Sequence, residues 1–205
     1  MDYKKFFQDT NHVIWQEVVD KIMAFEPEWV GYTSYTANIT AIDIISKKVK
    51  NLDHSIKQVI GGVHATLDPL ILDKLTSINY SVQREGEHAM FDLVDGKDPK
   101  KISGVVSRSE SGLINNFDAD VIDDIDNLPL PEREKFWGLS DEEKLMVDVS
   151  YICSIRGCPY RCNYCASPEH WKRNKTQYRS PKSLVDEMRY VKENYWDRKK
   201  EFDYS

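Results

Sequence analysis

The sequence predicts an α/β chain in which a partial doubly wound parallel sheet is followed by a single β-loop-α unit. Two observations predict it. Through the first hundred residues, apolar runs of strand length alternate with segments of helical period, the pattern of a parallel α/β sheet. All four cysteines of the 205-residue chain then lie within thirteen positions, at the end of a strand-like run and in the loop that joins it to a well-capped helix.

Each element has its own signal. Residues 11–25 place Ile14, Val18, Ile22 and Phe25 at helical spacing, and Pro27 stops that helix. Residues 29–35 mix aromatic and small side chains and read as a buried strand. From Ile39 to Leu52, the side chains Ile39, Ile42, Ile45, Val49 and Leu52 share one face. Residues 56–60 form a second strand that runs into Gly61-Gly62-Val63-His64-Ala65-Thr66. A short helix over 67–75 leads to a third strand at 80–83, which ends at Arg84-Glu85-Gly86-Glu87. Residues 87–94 form a helix, and Gly96 supplies its C-terminal cap. A short strand pair with a Ser-Gly turn spans 104–114.

An acidic stretch punctuated by proline follows, over 118–131. Its five aspartates between positions 118 and 126 lack the glycine and terminal glutamate of an EF-hand calcium loop, so it reads as a solvated linker. The final unit comprises a strand at 147–153, a loop at 154–179 and a helix at 181–195. Ser180 is the N-cap and Pro181 the first helical residue, while Leu184, Val185, Met188 and Val191 line one face. Residues 201–205 look like the approach to another strand. The resulting division is 1–100, 101–146 and 147–205.

Composition excludes several classes. With 28 basic and 34 acidic side chains the net charge is -6, which argues against nucleic-acid binding through a basic surface. Mean hydropathy is -0.58, and no apolar run approaches the ~18 residues of a membrane span. The first residues lack the apolar core of a secretory signal. The expected location is therefore the cytoplasm, a reducing compartment.

The cysteine spacing carries chemistry. Disulfide scaffolds spread cysteines along a chain to close large loops, whereas clustered cysteines in a reducing compartment point to a metal or cluster site. Cys158, Cys162 and Cys165 form C-x3-C-x2-C. Structural zinc usually takes four ligands in two pairs, and no second pair exists here. Cys153 would make a set of four cysteines and His170 a set of three cysteines and one histidine, although Cys153 falls in an apolar run that reads as a strand. The better fit is a [4Fe-4S] cluster held by three thiolates, with one iron position left open.

In parallel α/β sheets, ligands sit beyond the carboxyl ends of the strands. The corresponding loops are residues 33–38, 61–66 and 84–87. Paired glycines such as Gly61-Gly62 let backbone approach a ligand closely, or simply make a tight turn.

Residues 158–165, with Tyr164 just before the third cysteine and Arg156-Gly157 ahead of the first, resemble the signature of the radical S-adenosylmethionine (SAM) enzymes. The segment from Tyr178 to Glu187 resembles the opening of the first barrel helix in that family. The GG-x-HAT loop at 61–66 and the R-x-GE segment at 84–87 resemble the cobalamin-binding (B12) group within it.

The resemblance implies a Rossmann-like, B12-binding-type domain followed by the first β-loop-α unit of a radical SAM (β/α) barrel. It implies cluster ligation by Cys158, Cys162 and Cys165, and SAM adenine lying against the backbone of Tyr164. Cobalamin-type loops would involve Ser34, Thr36, Gly61, Gly62 and Thr66. The implied chemistry is reductive cleavage of SAM to a 5'-deoxyadenosyl radical, with cobalamin-dependent methyl transfer or ring and skeleton chemistry on a small-molecule substrate. The electron donor would be of flavodoxin or ferredoxin type.

The D-x-H-x-x-G motif of members that ligate cobalt from below is absent, so His64 is expected to be a satisfied loop histidine. A full (β/α)8 barrel takes about 200–250 residues. Roughly 60 residues follow the linker, so the expectation is an incomplete chain with little SAM cleavage by itself. The alternative is a non-catalytic interaction module built on structural zinc.

Overall fold

The computed structural model describes residues 9–116, 119, 122–131, 151–171 and 176–196. The expected strand positions 147–150 and the segment 201–205 lie outside the described residues. The chain divides into two compact units, one of residues 1–121 with 162–172, the other of residues 122–161 with 173–205.

The first unit is an α/β layer structure. Its elements are α1 (Val13–Met23), β1 (Trp29–Thr33), α2 (Ile39–Leu52), β2 (Lys57–Gly61), α3 (Val63–Leu67), α4 (Ile71–Lys74), β3 (Tyr80–Val82), α5 (Glu87–Val94), β4 (Val105–Ser109) and β5 (Gly112–Asn115). The strands form one sheet in the order β1-β2-β3-β4-β5. β1, β2 and β3 run parallel, with Tyr32 opposite Ile60 and Ile60 opposite Ser81. The strand pair expected between the two halves of the sequence instead extends this sheet. β4 pairs antiparallel with β3, and β5 with β4.

Strand alternation splits the core in two. On one face Ile60 and Val106 pack with Ile42 of α2, Ala65 of α3 and Ile71 and Leu72 of α4. On the other, Val59, Val82 and Val105 meet Ala89 and Leu93 of α5. Helices thus cover both faces, as the sequence predicts.

Two helices differ in detail from expectation. In α1 the buried side chains are Trp15 and Val19, whereas Ile14 and Phe25 are exposed. The stripe is rotated by one residue because Trp15 anchors it, its indole N–H donating to the Asp9 carbonyl at 2.9 Å. The helix expected over 67–75 is shortened to α4, which starts beyond Pro69, and the segment expected as the 61–66 loop contributes the helix α3. Proline lacks the amide a continuing helix needs and disfavours helical backbone at Asp68.

A buried polar network lies among these apolar layers. Gln58 is fully buried. Its Oε1 accepts from the Tyr32 hydroxyl at 2.6 Å, and its Nε2 donates to the carbonyls of Ser46 at 3.0 Å and Ser77 at 3.1 Å. Burial pushes the Tyr32 phenol above its ordinary value, so it stays a neutral donor. On β4, the Arg108 guanidinium donates to the carbonyls of Leu72, Leu75 at 3.1 Å and Ile78 at 3.3 Å, tying β4 to the C-terminal end of α4 and the turn that follows it.

The second unit contains β6 (Ile155–Arg156), β7 (Gln177–Tyr178) and α7 (Pro181–Val191). β6 and β7 pair antiparallel. Residues 151–153, expected in a strand, are in neither helix nor strand, and the strand begins at Ile155. α7 starts as predicted, with the Ser180 hydroxyl accepting from Ser183 N–H at 3.1 Å and Pro181 in the first turn.

Arg179, just before that cap, organises the unit. It pairs with the buried carboxylate of Glu187, donates to Ser183 Oγ at 2.7 Å, and lies 3.8 Å from Asp126. Its own N–H donates to the Ser154 carbonyl at 3.0 Å. Asp126 accepts from Ser180 N–H at 3.0 and 3.1 Å. This aspartate of the expected solvated linker therefore has a structural task.

Two measurements test these networks. Gln58→Leu leaves the Tyr32 hydroxyl and the Ser46 and Ser77 carbonyls without their partner, and should cost about 2 kcal/mol in urea unfolding. The Asp126 carboxyl is held below its ordinary 3.8, mainly by the bond from Ser180 and further by Arg179. A depressed acid stabilises the fold above its unfolded value and loses that contribution as pH falls through the folded value. Carbon-detected NMR titration should therefore place the Asp126 midpoint below 3.8, and Asp126→Asn should flatten the fall in stability on acidification beneath that value.

Candidate functional site

The carboxyl ends of β1, β2 and β3 meet through their loops. Ser34 follows β1 and is fully buried. Its N–H donates to the Gly61 carbonyl at 2.8 Å and its hydroxyl donates to the same oxygen at 2.6 Å. That hydroxyl accepts from Ala65 N–H at 3.1 Å, while the Ser34 carbonyl accepts from His64 N–H at 3.1 Å. Every polar group of Ser34 thus faces the β2 loop.

Gly62 is forced by this contact. Its φ is +93°, and a Cβ there would stand 2.9 Å from both Ser34 N and Ser34 O. The close approach that the glycine permits is to neighbouring backbone. Gly61 is under no such constraint, since a Cβ there would lie 3.5 Å from the Val82 carbonyl, an ordinary contact.

Thr66 is also turned inward. Its hydroxyl donates to the Gly62 carbonyl at 3.0 Å and accepts from Arg84 N–H at 2.8 Å, tying the second loop to the third. Thr36 sits at the exposed surface, its Oγ1 3.0 Å from His64 Nδ1. His64 is therefore hydrogen-bonded within the loops, as expected of it.

The third loop holds residues that sequence reasoning passed over. Arg84 adopts φ +62°, a conformation that costs a side-chain-bearing residue energy. Gln83 beside it is 3% exposed, and its Nε2 has no hydrogen-bond partner among the described residues. Neither signal is visible in R-x-GE as a string of letters.

Of the cysteine loop, Cys158 belongs to the second unit, and Cys162 and Cys165 to the first. All are free thiols, Cys158 half-buried and the others exposed. Gly157, at φ +88°, turns the chain out of β6 just before Cys158. Cys165 N–H donates to the Cys162 carbonyl at 3.0 Å, and Ser167 N–H points at Cys165 Sγ at 3.4 Å. A further helix of the first unit, α6 (Ser167–Trp171), packs on α3.

Tyr164 is 93% exposed, so its ring is no core residue. His170 sits edge-on to Trp171 with ring centroids 4.7 Å apart. Cys153, which the sequence places in a sheet, is exposed, and its thiol donates to the Ile155 carbonyl at 3.3 Å. Among the described residues, no three His, Cys, Asp or Glu side chains are gathered around a metal-sized space. The donor chemistry nevertheless suits an iron–sulfur cluster. Three unpaired thiols occur in eight residues, and one of them already accepts a backbone N–H, the kind of bond that tunes cluster sulfur.

Comparison with known proteins places this arrangement. Residues 6–94 match the B12 binding domain family. The anaerobic magnesium-protoporphyrin IX monomethyl ester cyclase of Rubrivivax gelatinosus is 28% identical over 193 residues, covering 87% of this chain and 34% of the relative. An uncharacterized methyltransferase of Pyrococcus horikoshii is 28% identical over 159 residues, covering 74% and 34%. The radical SAM methyltransferase TsrM from Kitasatospora setae, solved with cobalamin and a [4Fe-4S] cluster bound, superposes with a TM-score of 0.62 at 20% identity, covering 86% of this chain and 37% of that one.

Over residues 6–94, less than half of its length, the chain is similar to the B12 binding domain family, and its fold is that of the solved methyltransferase. It spans about a third of the length of the curated relatives it matches. Among the described residues no helix is long and apolar enough to cross a membrane.

The two glycines separate cleanly in a stability assay. Gly62→Ala forces both a φ that alanine disfavours and a collision with Ser34, and should destabilise by about 2–3 kcal/mol. Gly61→Ala should cost less than about 1 kcal/mol. Equal losses in urea titrations of the two variants would contradict the Ser34 contact.

Proposed function

We propose that this chain supplies the B12-type domain and the cluster loop of a radical SAM enzyme. In this reading Cys158, Cys162 and Cys165 hold a [4Fe-4S] cluster. The observation that carries it is the C-x3-C-x2-C loop of three free thiols, with Ser167 N–H bonded to Cys165, in a chain whose relatives include a radical SAM methyltransferase.

Such a cluster supplies an open iron position for SAM and the electron for its reductive cleavage. The chain's own residues prepare the loop for it. Arg179, itself held by Glu187 and Asp126, fixes the Ser154 carbonyl just ahead of β6, the strand that leads to Cys158. The α6 contact with α3 seats the segment carrying Cys162 and Cys165 on the first unit. Tyr164 offers backbone for the adenine of SAM, and its exposed ring leaves that backbone open.

The B12-type loops would contact cobalamin. Because the hydroxyls of Ser34 and Thr66 are spent within the fold, Ser34, Gly61, Gly62 and Thr66 would shape the carboxyl edge, while Thr36 faces outward. The reaction served would be methyl transfer or ring chemistry on a small molecule, with electrons from a flavodoxin- or ferredoxin-type donor in the cytoplasm.

Anaerobic reconstitution with iron and sulfide should load about four of each per chain. Cys162→Ala should abolish loading and Cys153→Ala should retain it, as read by iron content and by the visible charge-transfer absorption. Stoichiometric zinc with no iron uptake would instead establish a structural zinc module.

A further inference from the structure

Gln83 is, with Ser81 and Ser107, one of the core side chains that carry a buried polar atom without a hydrogen-bond partner among the described residues, and it is the one that ends the strand. It lies at the carboxyl end of β3, is 3% exposed, and has an amide nitrogen that is buried without a hydrogen-bond partner. Buried polar groups are almost always paired, and an orphan of this kind costs stability.

Its place is defined by the sheet. Alternation along β3 puts Gln83 on the same face as Ser81, which pairs with Ile60. That face is the one covered by α3 and α4. Its own N–H is taken by the Gly104 carbonyl at 2.9 Å, and the next residue, Arg84, is held at φ +62° by its bond to Thr66. Unpaired amide and strained backbone coincide at the edge where α/β sheets bind ligands.

We propose that the Gln83 carboxamide is a ligand-binding group of this edge, its N–H donating to an amide carbonyl on the periphery of bound cobalamin. The inference rests on the proposal that residues 6–94 contact cobalamin. It adds a residue outside the glycine and hydroxyl positions of the first two loops. A donor kept unpaired in the free protein is stabilised only when a ligand supplies the acceptor, so Gln83 exchanges stability for affinity.

The opposed signs give the test. Gln83→Met keeps the length and removes the polar group. In the full 205-residue chain it should raise the melting temperature by about 4 °C and weaken hydroxocobalamin binding about tenfold. In wild-type protein, the Gln83 side-chain NH2 signals should shift on adding hydroxocobalamin, a readout independent of how the variant folds. Unchanged affinity of a folded Gln83→Met chain, or unmoved NH2 signals in cobalamin-bound wild type, would overturn the role of Gln83 alone. Absence of any hydroxocobalamin binding by wild-type protein would overturn the cobalamin reading and this inference with it.

Discussion

The carboxyl edge of the sheet depends on one residue-scale junction, the contact of Ser34 with the Gly61–Ala65 backbone. Two parallel strands end side by side there, and their loops must diverge without leaving buried amides and carbonyls unpaired. Ser34 solves this with its amide, its carbonyl and its hydroxyl together. The solution brings the chains so close that only glycine fits at position 62. It also sets the start of α3, from which the Thr66 hydroxyl reaches the third loop at Arg84. The geometry of all three loops therefore descends from one buried serine.

In the second unit a charge performs the comparable task. Arg179 and Glu187 are both largely withdrawn from water, with side chains 11% and 2% exposed. A buried pair of this kind is weak evidence of net stability, because desolvation offsets the attraction, but either partner alone would be a buried unpaired charge. The arrangement consequently holds its members in place. It ties α7, the Asp126 segment and the chain ahead of β6 to a single arginine, whose guanidinium meets Glu187 and Asp126 and whose own N–H donates to the Ser154 carbonyl.

Most elements of the first unit, and α7, were legible in the residues, because period and caps are local properties, whereas α3, α6, β6 and β7 lie where loops were expected. Ser180 and Pro181 begin α7, and the expected range 87–94 is the range of α5. What local signals misjudged were orientation and use. The α1 stripe turned by one residue because Trp15 has more area to bury than Ile14 and finds the Asp9 carbonyl for its indole. Pro69 delayed the start of the helix that the apolar spacing began at Leu67. Asp126 looked like one more solvated linker charge, since its partners Ser180 and Arg179 lie more than fifty residues further on.

The sequence by itself determined the α/β class, the glycine pair and the three-cysteine loop, because each is written in residue types at short spacing. The tertiary structure alone decided that the hydroxyls of Ser34 and Thr66 serve the fold, that the hairpin at 105–115 completes the sheet, and that the amide of Gln83 is buried without a partner. These outcomes turn on which groups meet across the sheet. Hydrogen-bond saturation and burial are set by neighbours tens of residues away, and no window of sequence contains them.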